Sequence, residues 1–232
     1  MTVSYEATKA ELLQAALMHV PFDGWTVSTF EAAIRDTEIS RSVARAICPR
    51  GAVDLAIAFH KAGDAAMLER LGEADLSGMK FREKVTAAVR FRLEAIEEKE
   101  AVRRGATLFA LPIYAADGAR LVWQTSDAIW TALGDTSEDV NWYTKRATLS
   151  GVYSSTVLYW LGDDSPGHMA TWAFLDRRIA DVMRFEKLKD QVNNNPVMRT
   201  LMTGPNWLFG QIKAPISARK SHLPGRWTAA RD

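Results

Sequence analysis

The chain reads as an all-α protein of about nine helices that opens with a helix-turn-helix-like unit. Three observations predict this. Apolar residues recur at helical spacing in nearly every segment, no run keeps the strict alternation of a half-buried strand, and helix-starting residues stand just before the periodic stretches. At 232 residues, 47% hydrophobic and 25% charged, the sequence suits one compact domain or a small module joined to a larger one.

Taken in order, "EATKAELLQAALMHV" places Ala7, Ala10, Leu13 and Leu17 on one face. After the turn "PFDGW", "STFEAAIRD" begins with Ser28 and Glu31 at capping-box spacing, and Ser40 caps "SRSVARAIC". "AVDLAIAFHKAGDAAMLERL" follows, then one long helix from about Met79 to Ala110 that Pro112 ends. "DGARLVWQTSDAIWTAL" precedes a helix from about Glu138 to Leu161. The last strong element starts at Ser165, with Pro166 in the first helical position. Three parts are expected: residues 1–50, the helix-turn-helix-like unit; 51–190, a helical ligand domain; and 191–232, a basic, apolar tail.

That order is the plan of TetR-type repressors. Arg41 and Arg45 on the recognition-position helix would then meet DNA, and the alternative function is a regulator with an apolar effector. The plainer reading, two solvated arginines, is favoured because the chain lacks a strongly basic front face. From Gln191 onward six basic residues oppose one acid, so the tail is +5 and the preceding body −4 of the total +1. Such a tail can face phosphates, lipid headgroups or an acidic partner.

Cys48 is the single cysteine, which excludes an intrachain disulfide and fits a reducing compartment. The first segment carries Glu6 and Glu11 and reads as no export signal. The longest uncharged run, 147–162, is too short to span a bilayer. No phosphate loop, nucleophile elbow or paired-cysteine zinc pattern occurs. Asp163, Asp164 and His168 are close enough in sequence to hold a metal, although loop acids beside a first-turn histidine explain them more simply. No enzyme is expected, and no cofactor or metal.

Two features remain. Gly151, Ser154 and Ser155 lie among large apolar residues, where small side chains permit close helix packing or leave room for an apolar ligand. With Tyr153, Leu158 and Trp172 they are the candidate lipid-binding set. In the tail, Val197, Leu201, Trp207, Leu208, Phe209, Ile212 and Lys213 suit either a docked terminal helix or an interfacial membrane segment.

The stretches "HVPFDGW" (19–25), "CPRGAVDLAIAFH" (48–60), "DAIW" (127–130), "GDTSEDVNWYTKRATLSGVY" (134–153) and "DSPGHMATWAFLDRRI" (164–179) resemble the accessory lipid-binding proteins of ubiquinone biosynthesis found in bacteria and mitochondria. The resemblance runs from about residue 10 to 190. It implies a TetR-like fold without an established DNA role, a pocket for isoprenoid or quinone-type lipids, and attachment to a membrane surface. It also implies presentation of quinone intermediates to a demethoxyubiquinone hydroxylase, without catalysis. The implied location is cytoplasmic, peripheral on the inner face of the cytoplasmic membrane; a second copy of the chain is a further expected partner. The tail departs from the family, because Gly204-Pro205 interrupts what would be one amphipathic helix.

The resemblance also assigns a partner-binding patch: Asp127, Ile129 and Trp130, with Asn141, Trp142, Tyr143 and Arg146. On the helix, Val140, Tyr143 or Thr144, Ala147, Gly151 and Ser154 share one stripe, and Trp142, Arg146 and Leu149 another. With the first stripe facing the core, the second faces out, and an exposed Trp beside an Arg has the composition of a binding hot spot. The competing arrangement folds Trp142 over Ile129 and Trp130 as a lid on the core.

Overall fold

The computed structural model describes residues 5–194, and among them it contains ten α-helices and no strand. The first four are short: α1 (Tyr5–Leu17), α2 (Val20–Asp23), α3 (Val27–Asp36) and α4 (Arg41–Ile47). The long α5 (Ala52–Glu73) leads to α6 (Phe81–Glu94), α7 (Lys99–Ala110), α8 (Ala115–Ala132) and α9 (Val140–Leu161). A single 3-10 turn, Pro166–His168, precedes α10 (Met169–Asn194).

Polar side chains fix several starts. Ser40 accepts from the Val43 N–H at 3.4 Å, as its position predicts, and Asp139 accepts from Asn141 N–H at 2.9 Å to begin α9. The cap of α3 is Thr26, two residues before the expected Ser28; its Oγ1 accepts from Thr29 N–H at 3.4 Å. Gly51 begins α5 with φ +61°, and a Cβ there would lie 3.3 Å from the Phe30 ring. The left-handed conformation favours glycine, and the Phe30 ring leaves little room for a side chain.

Two apolar cores result. The first joins α1, α3, α4 and the start of α5 through Leu12, Leu13, Ala16, Phe30, Ala44 and Leu55. The second joins the end of α5 to α6, α8, α9 and α10 through Met67, Val89, Leu93, Ile129, Leu149 and Leu175. In α1 the buried face is Thr8, Leu12, Leu13 and Ala16, whereas Ala7 and Ala10 are exposed. The expected stripe is therefore displaced: the bulkier leucine pair decides which face turns inward.

The expected helix over 79–110 is two helices. Residues 95–98 contain neither glycine nor proline, so local propensity announces no break. Tertiary packing imposes it: α6 buries Val85, Val89 and Leu93 in the second core, while α7 sends Ala101 into the first. One straight rod does not serve both. The acids Glu98 and Glu100 then sit at the start of α7, where the helix dipole favours negative charge.

Candidate functional site

Where the two cores meet they leave a cavity of about 300 Å³. Trp25 and Phe59 wall it on one side, with ring centroids 5.8 Å apart, and the Trp25 indole donates to the Ala101 carbonyl at 3.1 Å. Val102, Ala106 and Phe109 of α7, Val122 of α8, and Tyr153, Val157 and Leu158 of α9 complete the apolar wall. Gly105 and Gly118 line it too. Most of the lining is hydrocarbon.

One end is polar. His60 and Arg92 line it, and Arg92 is only 3% exposed. The guanidinium donates from Nε to Asp64 at 2.6 Å and from Nη2 to the His60 carbonyl at 2.9 Å. Thr125 Oγ1 donates to Asp64 at 2.9 Å and is hydrogen-bonded to His60 Nε2 at 2.8 Å. Burial, together with the Arg92 charge, pushes His60 down to about 4, so the ring is neutral near neutral pH. Arg92 also lies 6.0 Å from the Tyr153 ring centre. A Cβ at Gly63 would overlap the Arg92 guanidinium, so glycine at this position in α5 is what lets the charge lie against the helix.

Of the residues expected to bind lipid, Tyr153, Ser154 and Leu158 line this cavity. Gly151, Ser155 and Trp172 are not in its lining. Gly151 is exposed, in a shallow outer groove with Gly118, Ala119, Trp123, Ala147 and Ser150. Ser155 donates to the Val152 carbonyl at 3.0 Å, and Trp172 lies under Arg90 and donates to the Gly167 carbonyl at 2.8 Å. The cause is the orientation of α9. Its inward stripe is Arg146, Leu149, Tyr153, Thr156 and Trp160, not the one through Ala147 and Gly151.

That orientation also corrects the surface patch. Arg146 is 2% exposed and Ile129 is fully buried in the second core, so neither presents a side chain to a partner. Arg146 Nε donates to Asp127 at 2.5 Å and Nη1 to Asp135 at 2.9 Å, and its guanidinium lies 3.9 Å from the Trp142 ring centre. Two acids outweigh the burial of one cation, and an aromatic ring covers it. Trp142 is half-buried, neither jutting out freely nor folded over Ile129 and Trp130. It packs against Trp123 at 5.9 Å and edge-on to Tyr143 at 4.8 Å. Trp123 completes this cluster and escaped the sequence reading, although it stands one helical turn before Asp127 on the same face.

On the other side of α9, Trp130 stacks on Phe81 at 5.3 Å and donates to the Lys145 carbonyl at 3.1 Å. Trp130 and Asn141 line a groove of about 490 Å³ that reaches Ile179 and Val182 of α10. Lys145 joins Asp135 at 2.8 Å. Burial raises the Asp135 carboxyl, but the bonds from Lys145, Ser137 and Arg146 outweigh it and hold the group at about 2.

The remaining candidates have structural partners. Asp163 accepts from Ser165 N–H and from Thr171 N–H and Oγ1, which holds its carboxyl below the ordinary range, and His168 Nδ1 stands 4.0 Å away. Among the described residues no cluster of three metal-ligating side chains occurs. Cys48 is buried in the first core, and burial raises its thiol to about 11. Arg41 and Arg45 both pair with Glu31, which reduces the charge that α4 offers a phosphate backbone. No described helix is long and apolar enough to cross a membrane. The membrane-interface residues from Val197 to Lys213 lie outside the described residues.

Residues 115–186 match the COQ9 family. The chain is 34% identical over 193 residues, 80% of its length, to the mitochondrial ubiquinone biosynthesis protein COQ9 of Drosophila melanogaster. It is 30% identical over 202 residues, 82% of its length, to that of Rattus norvegicus. The chain spans 58% and 64% of the length of these two relatives. Among solved structures, a TetR transcriptional regulator from Nitrosomonas europaea ATCC 19718 is similar with a TM-score of 0.62 over 75% of this chain and 97% of that one. At 16% identity that likeness shows the fold alone: TetR-like and all-α.

Proposed function

We propose that the chain, which resembles the COQ9 family over residues 115–186 and COQ9 proteins over most of its length, is a non-catalytic, lipid-binding accessory protein of ubiquinone biosynthesis. It holds an isoprenoid quinone intermediate in the cavity between its two cores and presents it to a demethoxyubiquinone hydroxylase. The carrying observation is the cavity itself, hydrocarbon over most of its wall and polar at one end, the composition of a site for an amphipathic small molecule. The partner-facing surface is the half-buried cluster Trp123, Trp142 and Tyr143, together with Asn141. Arg146 and Asp127 position it from below. Tail residues from Val197 to Lys213 supply contact with an anionic membrane surface.

Two measurements on the full chain test this reading. Protein purified under native conditions should carry isoprenoid or quinone-type lipid detectable by mass spectrometry; recovery of empty protein from cells making ubiquinone would sink the lipid assignment. Trp142→Ala should abolish capture of the hydroxylase, keep the melting temperature within a few degrees, and leave the lipid in place. A large fall in melting temperature with capture intact would make Trp142 a core residue instead.

A further inference from the structure

The polar end of the cavity is lined by one cation, and that cation is in direct contact with one anion outside the lining. Arg92, 3% exposed, is matched by Asp64 at 2.6 Å, and the facing histidine is neutral. Asp64 itself is absent from the cavity lining and reaches the cavity only through its contact with Arg92. The guanidinium spends two of its five N–H groups on Asp64 and the His60 carbonyl. Tyr153, 4% exposed, adds a phenolic hydroxyl from α9, and burial raises its ionisation so that it stays a donor.

We infer that this end is a receptor for a neutral, oxygen-bearing ring, and that Asp64 is the residue that excludes anionic head groups. This rests on the lipid-cavity reading and narrows it. Carbonyl, methoxy or phenol oxygens need only hydrogen-bond donors, and Arg92 and Tyr153, both in the lining, carry such groups without an unbalanced charge. A carboxylate or diphosphate needs an uncompensated cation there, and Asp64 has already consumed it. Gly63 belongs to the same device, because its missing Cβ is what allows the Arg92 guanidinium to lie between α5 and the cavity.

Isothermal titration of the delipidated full chain with three tail-matched probes tests the inference: a dimethoxybenzoquinone carrying two isoprene units, the corresponding prenyl alcohol, and the prenyl diphosphate. The wild type should bind the quinone at least about tenfold more tightly than the diphosphate, and more tightly than the alcohol. Asp64→Asn should narrow or reverse the quinone-to-diphosphate ratio. Tyr153→Phe, which changes no charge and little volume, should weaken the quinone and leave the alcohol unchanged, so the test stands even where Asp64→Asn fails to fold. Equal binding of all three probes by the wild type would overturn head-group recognition while leaving the lipid cavity intact. Binding of none would overturn both. An Asp64→Asn protein that folds and keeps the wild-type ratio would remove Asp64 as the excluding residue.

Discussion

Among the described residues two arginines are buried, and their surroundings differ in one respect that separates the two candidate sites. Arg146, under the surface aromatic cluster, meets two acids, Asp127 and Asp135, and Asp135 has a second cation in Lys145. Arg92, at the cavity, meets one acid, Asp64, and among the described residues no other permanent cation pairs with that acid; the neighbouring His60 is 3.7 Å away and neutral. The surface network is redundant and the cavity pair is not. Redundancy suits a scaffold that must hold rings in place, whereas a sole pair leaves the local charge balance open to a single change.

Removing each arginine in turn should expose that difference. Arg92→Met leaves Asp64, 14% exposed, with the Thr125 hydroxyl and a neutral His60, and should cost about 3–5 kcal/mol of unfolding free energy. Arg146→Met leaves Asp135 with Lys145 and Ser137, and Asp127, 43% exposed, can turn to water. Its cost should be about 1–3 kcal/mol, most of it lost packing under Trp142. Denaturant melts of the two variants check the order. The reverse order would mean that the surface network is not redundant.

Acid should break the cavity region first. His60 has a folded value of about 4 against 6.5 unfolded, so between these values the unfolded chain binds more protons. Stability contributed by neutral His60 is present above about pH 6.5 and is lost as the pH falls towards about 4, a loss on the order of 3 kcal/mol. Asp135 is also depressed, from 3.8 to about 2, and its contribution disappears only as the pH falls through that lower window. Hydrogen exchange at about pH 5 should therefore rise in α5 around His60 before it rises at the start of α9. His60→Gln should flatten the pH dependence above about pH 4. In Arg92→Met, His60 should titrate higher, because a repelling charge is gone while Asp64 remains.

How much of this was legible in the sequence follows from the range of each interaction. Helix class and the start at Ser40 are local and were readable, as was the fold plan. Thr26 replaced Ser28 as a cap because both hydroxyl residues stand before the same helix and only backbone geometry chooses between them. The break at 95–98 and the orientation of α9 are decided by distant partners. Arg146 looked like an outward charge because nothing nearby in sequence announces Asp127 and Asp135 as its ligands; they arrive from α8 and the loop after it. The cavity network was missed for the same reason, being assembled from α5, α6 and α8. Its one local trace is His60 and Asp64, four residues apart on one helix face.

Two glycines give the smallest and most controlled comparison of the regions. A Cβ at Gly63 would overlap the Arg92 guanidinium, while a Cβ at Gly151 meets nothing within 4 Å. Both are helical, so replacement by alanine carries the same propensity gain, up to about 1 kcal/mol, in each. At Gly63 that gain must be set against displacement of a buried cation from its partner Asp64, an overpacking cost of about 1–3 kcal/mol, so Gly63→Ala should be net destabilising and should weaken lipid retention. At Gly151 nothing opposes it. Gly151→Ala should raise stability by about 0.5–1 kcal/mol and leave lipid content unchanged, since the residue faces the outer groove and not the cavity. Thermal melts and lipid mass spectrometry on both variants decide the matter. Lipid loss in Gly151→Ala with stability intact would put the ligand in the outer α8–α9 groove, and the cavity with its solitary ion pair would lose its claim to be the binding site.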